Sequence, residues 1–275
     1  MAVNSLNMKL HETITKLEPF VGQNLDIFRI EHALTNSTYL VKNGIHEYCL
    51  RLNNPDSKQL GIDRGREITI LNHIQQEDWT PTILAFDTNW MLSEWKPGIA
   101  FKPQDNNDLT RLEHLFSSVQ NMPIEPLSST NPIDIARQID FLRLSIPELE
   151  PSFTQLADVV CSQYRLPTEL TLCFHDWHPG NLLKHENHIV LIDWEYAALG
   201  DPKIDLACLI AGFDLNAEQT MLLVESIGMS LQELDNSMCL TSLLSLCWYM
   251  VRFPSDDWRI KQLEWVKRWN HLQET

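Results

Sequence analysis

A chain of 275 residues that is 44% hydrophobic has enough apolar side chain to bury a sizeable core, which excludes disorder as its default state. Its 21 basic against 37 acidic residues leave a net charge of −16, which repels phosphate backbones and anionic bilayers and so argues against a nucleic-acid or membrane partner. A small cationic substrate suits that charge better.

The six cysteines (Cys49, Cys161, Cys173, Cys208, Cys239 and Cys247) are scattered, with no CxxC pair that would mark a disulfide framework or a zinc knuckle. Met1 to Leu17 lacks a continuous apolar stretch, and no apolar run approaches the ~20 residues of a membrane-spanning helix. A reducing, cytoplasmic setting is the expectation.

Leu10, Ile14 and Leu17 recur at helical spacing between Met8 and Phe20, predicting a short amphipathic helix. The β-rich runs Ile27 to Ile30, Thr38 to Val41 and Tyr48 to Leu52 are broken at Thr35-Asn36-Ser37 and at Asn43-Gly44, which predicts an antiparallel meander. Asp63 to Ile74 carries Ile68, Ile70, Leu71 and Ile74 in a helical pattern, and Ile83 to Phe86 and Trp90 to Trp95 read as two more strands. Lys96-Pro97-Gly98 breaks the pattern, so residues 1–95 are expected to form a small β-rich lobe and residues 96–275 a second, mainly helical one. Long helical patterns follow at Asp108 to Gln120, Ile133 to Leu144 and Phe153 to Tyr164, interrupted by Pro147 and Pro151, with no internal repeat.

The chemistry concentrates in two stretches, Cys173 to Asn181 and Leu191 to Glu195. Asp176 stands on the loop after the apolar run Leu170 to Phe174, where a rigid element aims it. Asn181 follows on the same loop, and Asp193 stands behind the apolar run Ile189-Val190-Leu191-Ile192. Two carboxylates and an amide at one cleft are what phosphoryl transfer needs: one carboxylate to orient the attacking hydroxyl, and oxygen ligands for the Mg2+ that neutralises the phosphates. A competing reading makes His175, Asp176 and His178 zinc ligands, but it supplies no convincing further ligand and leaves Asn181 and Asp193 without a task. A metal-dependent hydrolase or a catalytically idle nucleotide-binding module would use the same carboxylates; keeping Asp176, Asn181 and Asp193 together argues against idleness.

The stretch Phe174-His175-Asp176-Trp177-His178-Pro179-Gly180-Asn181, followed by Ile192-Asp193-Trp194-Glu195, resembles the catalytic core of the aminoglycoside phosphotransferase and choline kinase superfamily, which includes bacterial thiamine kinases. Leu34-Thr35-Asn36, Leu50-Arg51, Asp63-Arg64 through Glu67, Glu94-Trp95 with Gly98, and Gly200-Asp201-Pro202 through Asp205-Leu206-Ala207 stand in the family's order, so the likeness runs over most of the chain. It implies a bilobal, protein-kinase-like α+β fold that uses ATP and Mg2+, with Asp176 as catalytic base and Asn181 and Asp193 as metal ligands. It further implies that Arg51 meets the nucleotide phosphates and that Glu67 turns toward it in a kinase-type ion pair. The loop Ala33 to Ser37 corresponds to the phosphate-covering loop, where Thr35 and Asn36 would offer N–H groups and short side chains, although it holds no glycine. Ser93 to Lys96, including Glu94 and Trp95, would be the hinge that holds adenine through backbone groups. Asp205 would brace the catalytic loop by hydrogen bonding, while Asp201 reads as a helix N-cap. One departure stands out: the family's histidine two residues before the catalytic aspartate is Phe174 here.

The last part of the chain is aromatic, with Trp248, Tyr249, Phe253, Trp258, Trp265 and Trp269 interspersed with Asp256, Asp257 and Glu264. Trp258, Trp265 and Trp269 fall on one helical face, which packing alone explains, yet rings beside carboxylates also suit a quaternary or thiazolium cation. The segment Ile192 to Ala197 is most similar to bacterial thiamine kinases, which implies thiamine as first acceptor. Gly200 to Ala207 is equally similar to choline and ethanolamine kinases, and aminoglycosides come third.

Overall fold

In a computed structural model of the chain, which describes residues 2–31, 35–186 and 188–273, the alternating β-rich runs pair as their sequence predicts. β1 (Asp26–Ile30), β2 (Ser37–Asn43) and β3 (His46–Leu52) form an antiparallel meander, and β4 (Ile83–Phe86) and β5 (Trp90–Glu94) extend it to a five-stranded sheet in the order β1-β2-β3-β5-β4. Alternation across the pleat gives the sheet two faces. One carries Tyr39, Val41, Leu50, Leu52, Trp90 and Leu92 and buries them against Leu17 and Val21 of helix α1 (Ala2–Val21). The other carries Cys49 opposite Ser93 and Arg51 opposite Met91, and it faces the remainder of the molecule. Ala33 and Leu34, in the expected phosphate-covering loop, lie outside the described residues.

Helix α2 (Arg64–Ile74) starts where the Asp63 carboxylate accepts the N–H groups of Gly65 and Arg66. Its apolar side, Ile70, Leu71 and Ile74, joins the large core of the helical part rather than the small core under α1. Helix α2, which precedes residue 95 in sequence, thus belongs by packing to the helical part. A bond from Arg66 Nε to the Ala197 carbonyl, 2.9 Å, ties it there.

The second part opens with β6 (Ile99–Ala100) and the helices α3 (Asn106–Gln120), α4 (Ile135–Arg143) and α5 (Pro151–Gln163), each within two residues of its sequence expectation. Strands β7 (Thr171–Cys173), β8 (Leu182–His185), β9 (His188–Leu191) and β10 (Ala198–Gly200) follow, pairing as β10 with β7 and as the ladder β6-β8-β9. Helices α6 (Pro202–Phe213), α7 (Ala217–Ser226), α8 (Leu231–Arg252) and α9 (Arg259–Trp269) complete it. The 22-residue α8 escaped the periodicity reading because it is packed on several sides, by α4, α5, α6 and α9, so it has no single apolar stripe. No helix among the described residues is long and apolar enough to cross a membrane.

Candidate active site

Strand β7 ends at Cys173, and the chain then turns through His175, which sits in the left-handed region at φ 63. That unusual conformation is held by Asp205 of α6. Its Oδ1 accepts from His175 N at 2.7 Å and Trp177 Nε1 at 3.0 Å, and its Oδ2 accepts from Phe174 N at 3.2 Å and Gln120 Nε2 at 3.0 Å. Phe174, in place of the family's histidine, packs edge-on against Trp177 and Trp194 at 5.3 and 4.9 Å between ring centres. Hydrophobic packing and one buried carboxylate thus take over the anchoring of this loop. Helix α6 presses on it closely: a Cβ at Gly212 would lie 1.6 Å from the Trp177 carbonyl oxygen.

The hairpin of β8 and β9 pairs Leu182 with Leu191, so the residues just outside it, Asn181 and Ile192, meet. Ile192 N donates to the Asn181 carbonyl at 2.9 Å, which brings Asp193 beside the catalytic loop. Asn181 Nδ2 donates to Asp176 Oδ2 at 2.7 Å and to the Asp176 carbonyl at 3.1 Å, which leaves its Oδ1 as the atom that could hold a metal ion. From the sheet, Arg51 reaches across: its NH1 lies 2.6 Å from Glu67 Oε1 and 3.1 Å from Asp193 Oδ1, and its NH2 lies 2.8 Å from Glu67 Oε2. The structure therefore brings together Asp176, Asn181, Asp193, Arg51 and Glu67.

The charges explain each other. Burial works to raise the Glu67 carboxyl, which is 2% exposed, but the guanidiniums of Arg51 and Arg64 outweigh it and hold it below its ordinary value. Asp193 is pushed well up, first by its crowded surroundings and then by Glu195, against the pull of Arg51. Asp176 is pushed up by its surroundings, with His178 and Asn181 opposing. Both side chains still show about a third of their surface to the cleft, 33% for Asp176 and 37% for Asp193, so water tempers the push and only its direction counts. Asp193 also holds φ 64, a strained value of the kind kept at working sites. A carboxylate with excess negative charge around it, next to a free amide oxygen, is a hard-oxygen donor set that fits Mg2+.

Arg64 and Glu195, which stand in the family motifs without an assigned role, complete the cluster. Arg64 NH1 pairs with Glu67 at 2.8 Å and with the buried Glu195 at 3.0 Å, while its NH2 donates to Asn36 Oδ1 at 2.8 Å. Asn36 Nδ2 donates in turn to Glu195 Oε2 at 2.7 Å. The Asn36 side chain, expected at the phosphates, is thereby committed to a bridge between α2 and the segment after Asp193. Only its long-range partner Glu195 marks Arg64 as part of this cluster.

At the expected hinge the side chains alternate between the two faces of the sheet. The Glu94 side chain lies on the α1 face of the sheet, opposite Tyr48, pairs with Lys96 at 3.0 Å, and lines with Tyr48 and Trp95 a cavity of about 370 Å3 away from Arg51. Trp95 N donates to the Glu47 carbonyl at 3.2 Å. The cleft-facing residue at this end of β5 is Ser93, because it alternates with Glu94. The zinc set does not assemble: His175 Nδ1 turns to the Tyr196 carbonyl at 3.2 Å, away from Asp176, and His178 Nδ1 accepts from Gly180 N at 3.0 Å. Cys173, His175 and Asp205 do cluster, but the Asp205 oxygens are already filled by four N–H donors.

The C-terminal aromatics divide into two groups. Trp265 packs edge-on against Phe153 at 5.2 Å with its Nε1 on Ser242, and Trp269 is equally buried, so both are core. The others form a row that begins next to Glu195. The Tyr196 hydroxyl, held above its ordinary pKa by burial and then by Glu195, with Asp176 and Asp193 adding to the push, accepts from Trp248 Nε1 at 2.5 Å. Trp248 meets Tyr249 edge-on at 5.1 Å, and Tyr249 faces Phe253 at 6.2 Å and Trp258 at 6.4 Å.

The sequence profile of the phosphotransferase enzyme family matches residues 26–229. A protein LicA homolog from Mycoplasma capricolum subsp. capricolum is 25% identical over 150 residues, which are 51% of this chain and 58% of that protein, so the match spans little more than half of the relative's length. Among solved structures, choline kinase LicA from Streptococcus pneumoniae is similar with a TM-score of 0.77 at 16% identity, covering 97% of this chain and 100% of that one. A choline/ethanolamine kinase family protein from Mesorhizobium loti is similar with a TM-score of 0.68 at 21% identity, covering 97% of this chain and 95% of that one. These likenesses establish the bilobal, protein-kinase-like α+β fold.

Proposed function

The chain belongs to the phosphotransferase enzyme family, and on that premise we propose that it transfers the γ-phosphoryl group of ATP to the hydroxyl of a small cationic alcohol, choline before ethanolamine. The observation that carries the acceptor class is the aromatic row Tyr196, Trp248, Tyr249 and Trp258, which starts in the field of Asp176 in a chain of net charge −16. Ring faces beside carboxylates attract a quaternary ammonium. The sequence reading ranked thiamine first; the names of the similar proteins support choline instead, and thiamine becomes the second candidate.

In this reading Asp176 accepts the proton of the acceptor hydroxyl while that oxygen bonds to the γ-phosphorus. The bond from phosphorus to the β–γ bridging oxygen breaks, and ADP leaves. Arg51, pre-aligned by Glu67, meets phosphate oxygens. Asn181 Oδ1 and Asp193 would hold Mg2+, which neutralises charge on the phosphates when bound. Asn36 and Arg64 keep the phosphate-covering loop, α2 and the Asp193 segment in register.

ADP release with choline should exceed that with 3,3-dimethyl-1-butanol, its uncharged analogue of the same shape, by roughly 5–30-fold at equal subsaturating concentration, the equivalent of about 1–2 kcal/mol of cation–π attraction. Trp248→Leu should erase most of that preference. Equal rates with the two alcohols, or faster turnover on zwitterionic homoserine, would end the cationic-acceptor reading and leave phosphoryl transfer standing.

Asp193→Asn should remove the Mg2+-dependent part of ATP affinity, since a neutral amide is a far weaker ligand for a hard cation than a carboxylate. Calorimetric titration of ATP with and without Mg2+ reads this directly. Identical curves for the variant and the parent would take Asp193 out of the metal site.

A further inference from the structure

The stretch between Asp176 and Asn181 is shaped around one imidazole ring. His178 caps the single turn Pro179–Asn181, its Nδ1 accepting from Gly180 N at 3.0 Å. Gly180 is bare on that side for a reason: a Cβ there would lie 2.8 Å from His178 Cε1 and 2.9 Å from Nδ1, so any other residue would push the ring away. Because Nδ1 accepts, the single proton of the neutral ring resides on Nε2. That Nε2 lies 3.7 Å from Asp176 Oδ1, on the carboxylate oxygen that Asn181 does not take. The ring is held in place, yet the side chain is 44% exposed.

We propose that His178 is a positioning residue for the catalytic carboxylate: its Nε2–H restrains Oδ1 of Asp176 as Asn181 Nδ2 restrains Oδ2, fixing the plane of the base against the incoming hydroxyl. The inference rests on the reading of Asp176 as the base. A ring that only capped the turn would need its Nδ1 and nothing more, whereas this ring also brings its Nε2 to 3.7 Å from Asp176 Oδ1. A contact of 3.7 Å in the resting protein tightens when substrate closes the site.

Two substitutions separate the two jobs of the ring, because an asparagine amide sits where Nδ1 stands and a glutamine amide reaches where Nε2 stands. His178→Asn keeps an acceptor for Gly180 N and loses the donor to Asp176; His178→Gln does the reverse. We expect His178→Asn to lower kcat roughly tenfold with KM for ATP unchanged, from loss of orientation alone, and His178→Gln to recover most of that turnover. Thermal melts of both variants establish folding. Wild-type kcat in the Asn variant, or a Gln variant no faster than the Asn variant, would overturn the proposal. An independent readout needs no turnover: 15N NMR of the imidazole in the resting protein should show the Nε2–H tautomer, and a dominant Nδ1–H form would also overturn it. If the parent protein releases no ADP with any alcohol, the kinase reading fails, and the tautomer measurement still decides whether His178 presents its proton to Asp176.

Discussion

Asp176→Ala lowers turnover by roughly 10²–10⁴-fold while the affinity for nucleotide stays nearly unchanged, because a general base acts in the transition state and contributes little to ground-state binding. The geometry makes the two readouts separable. Asp176 contacts Asn181 and His178, whereas Arg51, the residue assigned to the phosphates, is fixed by Glu67 and Asp193. Initial rates at saturating ATP, together with equilibrium binding of a nonhydrolysable nucleotide, test both halves. A variant that turns over normally but binds nucleotide poorly would show that Asp176 is not the base.

Asp205→Ala costs the fold about 4 kcal/mol or more, because it strips the acceptor from four N–H donors at once and an unsatisfied buried donor costs ~1–3 kcal/mol. The donors are the backbone N–H groups of Phe174 and His175, Trp177 Nε1 and Gln120 Nε2, so the loss falls on the loop that carries Asp176. For a domain of this size the melting temperature should fall by roughly 8–16 °C. Burial pushes the Asp205 carboxyl upward, with His175 and the N–H groups of His175, Trp177 and Phe174 opposing it. A protonated oxygen would bring a donor up against donors, so the ionised form is the one the loop is built on. A shift in melting temperature below about 2 °C would mean that water replaces the carboxylate and that the loop has another anchor.

Features built from short-range interactions were legible in the sequence, and features built from long-range ones were not. The meander, α2 to α5 and the loop of Asp176 were legible because each is encoded locally: β-rich runs along β1 to β3, the helical pattern of Ile68, Ile70, Leu71 and Ile74, and the apolar run Leu170 to Phe174 before the loop. The pairing of Arg51 with Glu67 was expected from the resemblance, and the side chains do meet. The side-chain placements of Glu94 and Asn36 were not legible, for one reason each. The parity of β5 sends the Glu94 side chain to the α1 face, and the Asn36 amide is claimed by Arg64 and Glu195.

By itself the sequence determined the acidic balance of the surface, the order of strands and helices, and the presence of a base, an amide and a second acid in the arrangement that phosphoryl transfer needs. These follow from composition and from neighbours within a few residues. Only the tertiary structure decided that α2 packs with the helical body, that Trp265 and Trp269 are core while Tyr196, Trp248, Tyr249 and Trp258 form a row of touching rings, and that His178 Nε2 comes to 3.7 Å from Asp176 Oδ1. Each depends on which side of an element is left uncovered or on partners as distant as Arg51 and Asp193, 142 positions apart. Residue type and local spacing carry no record of such contacts, because they form only when two separately folded surfaces close on one another.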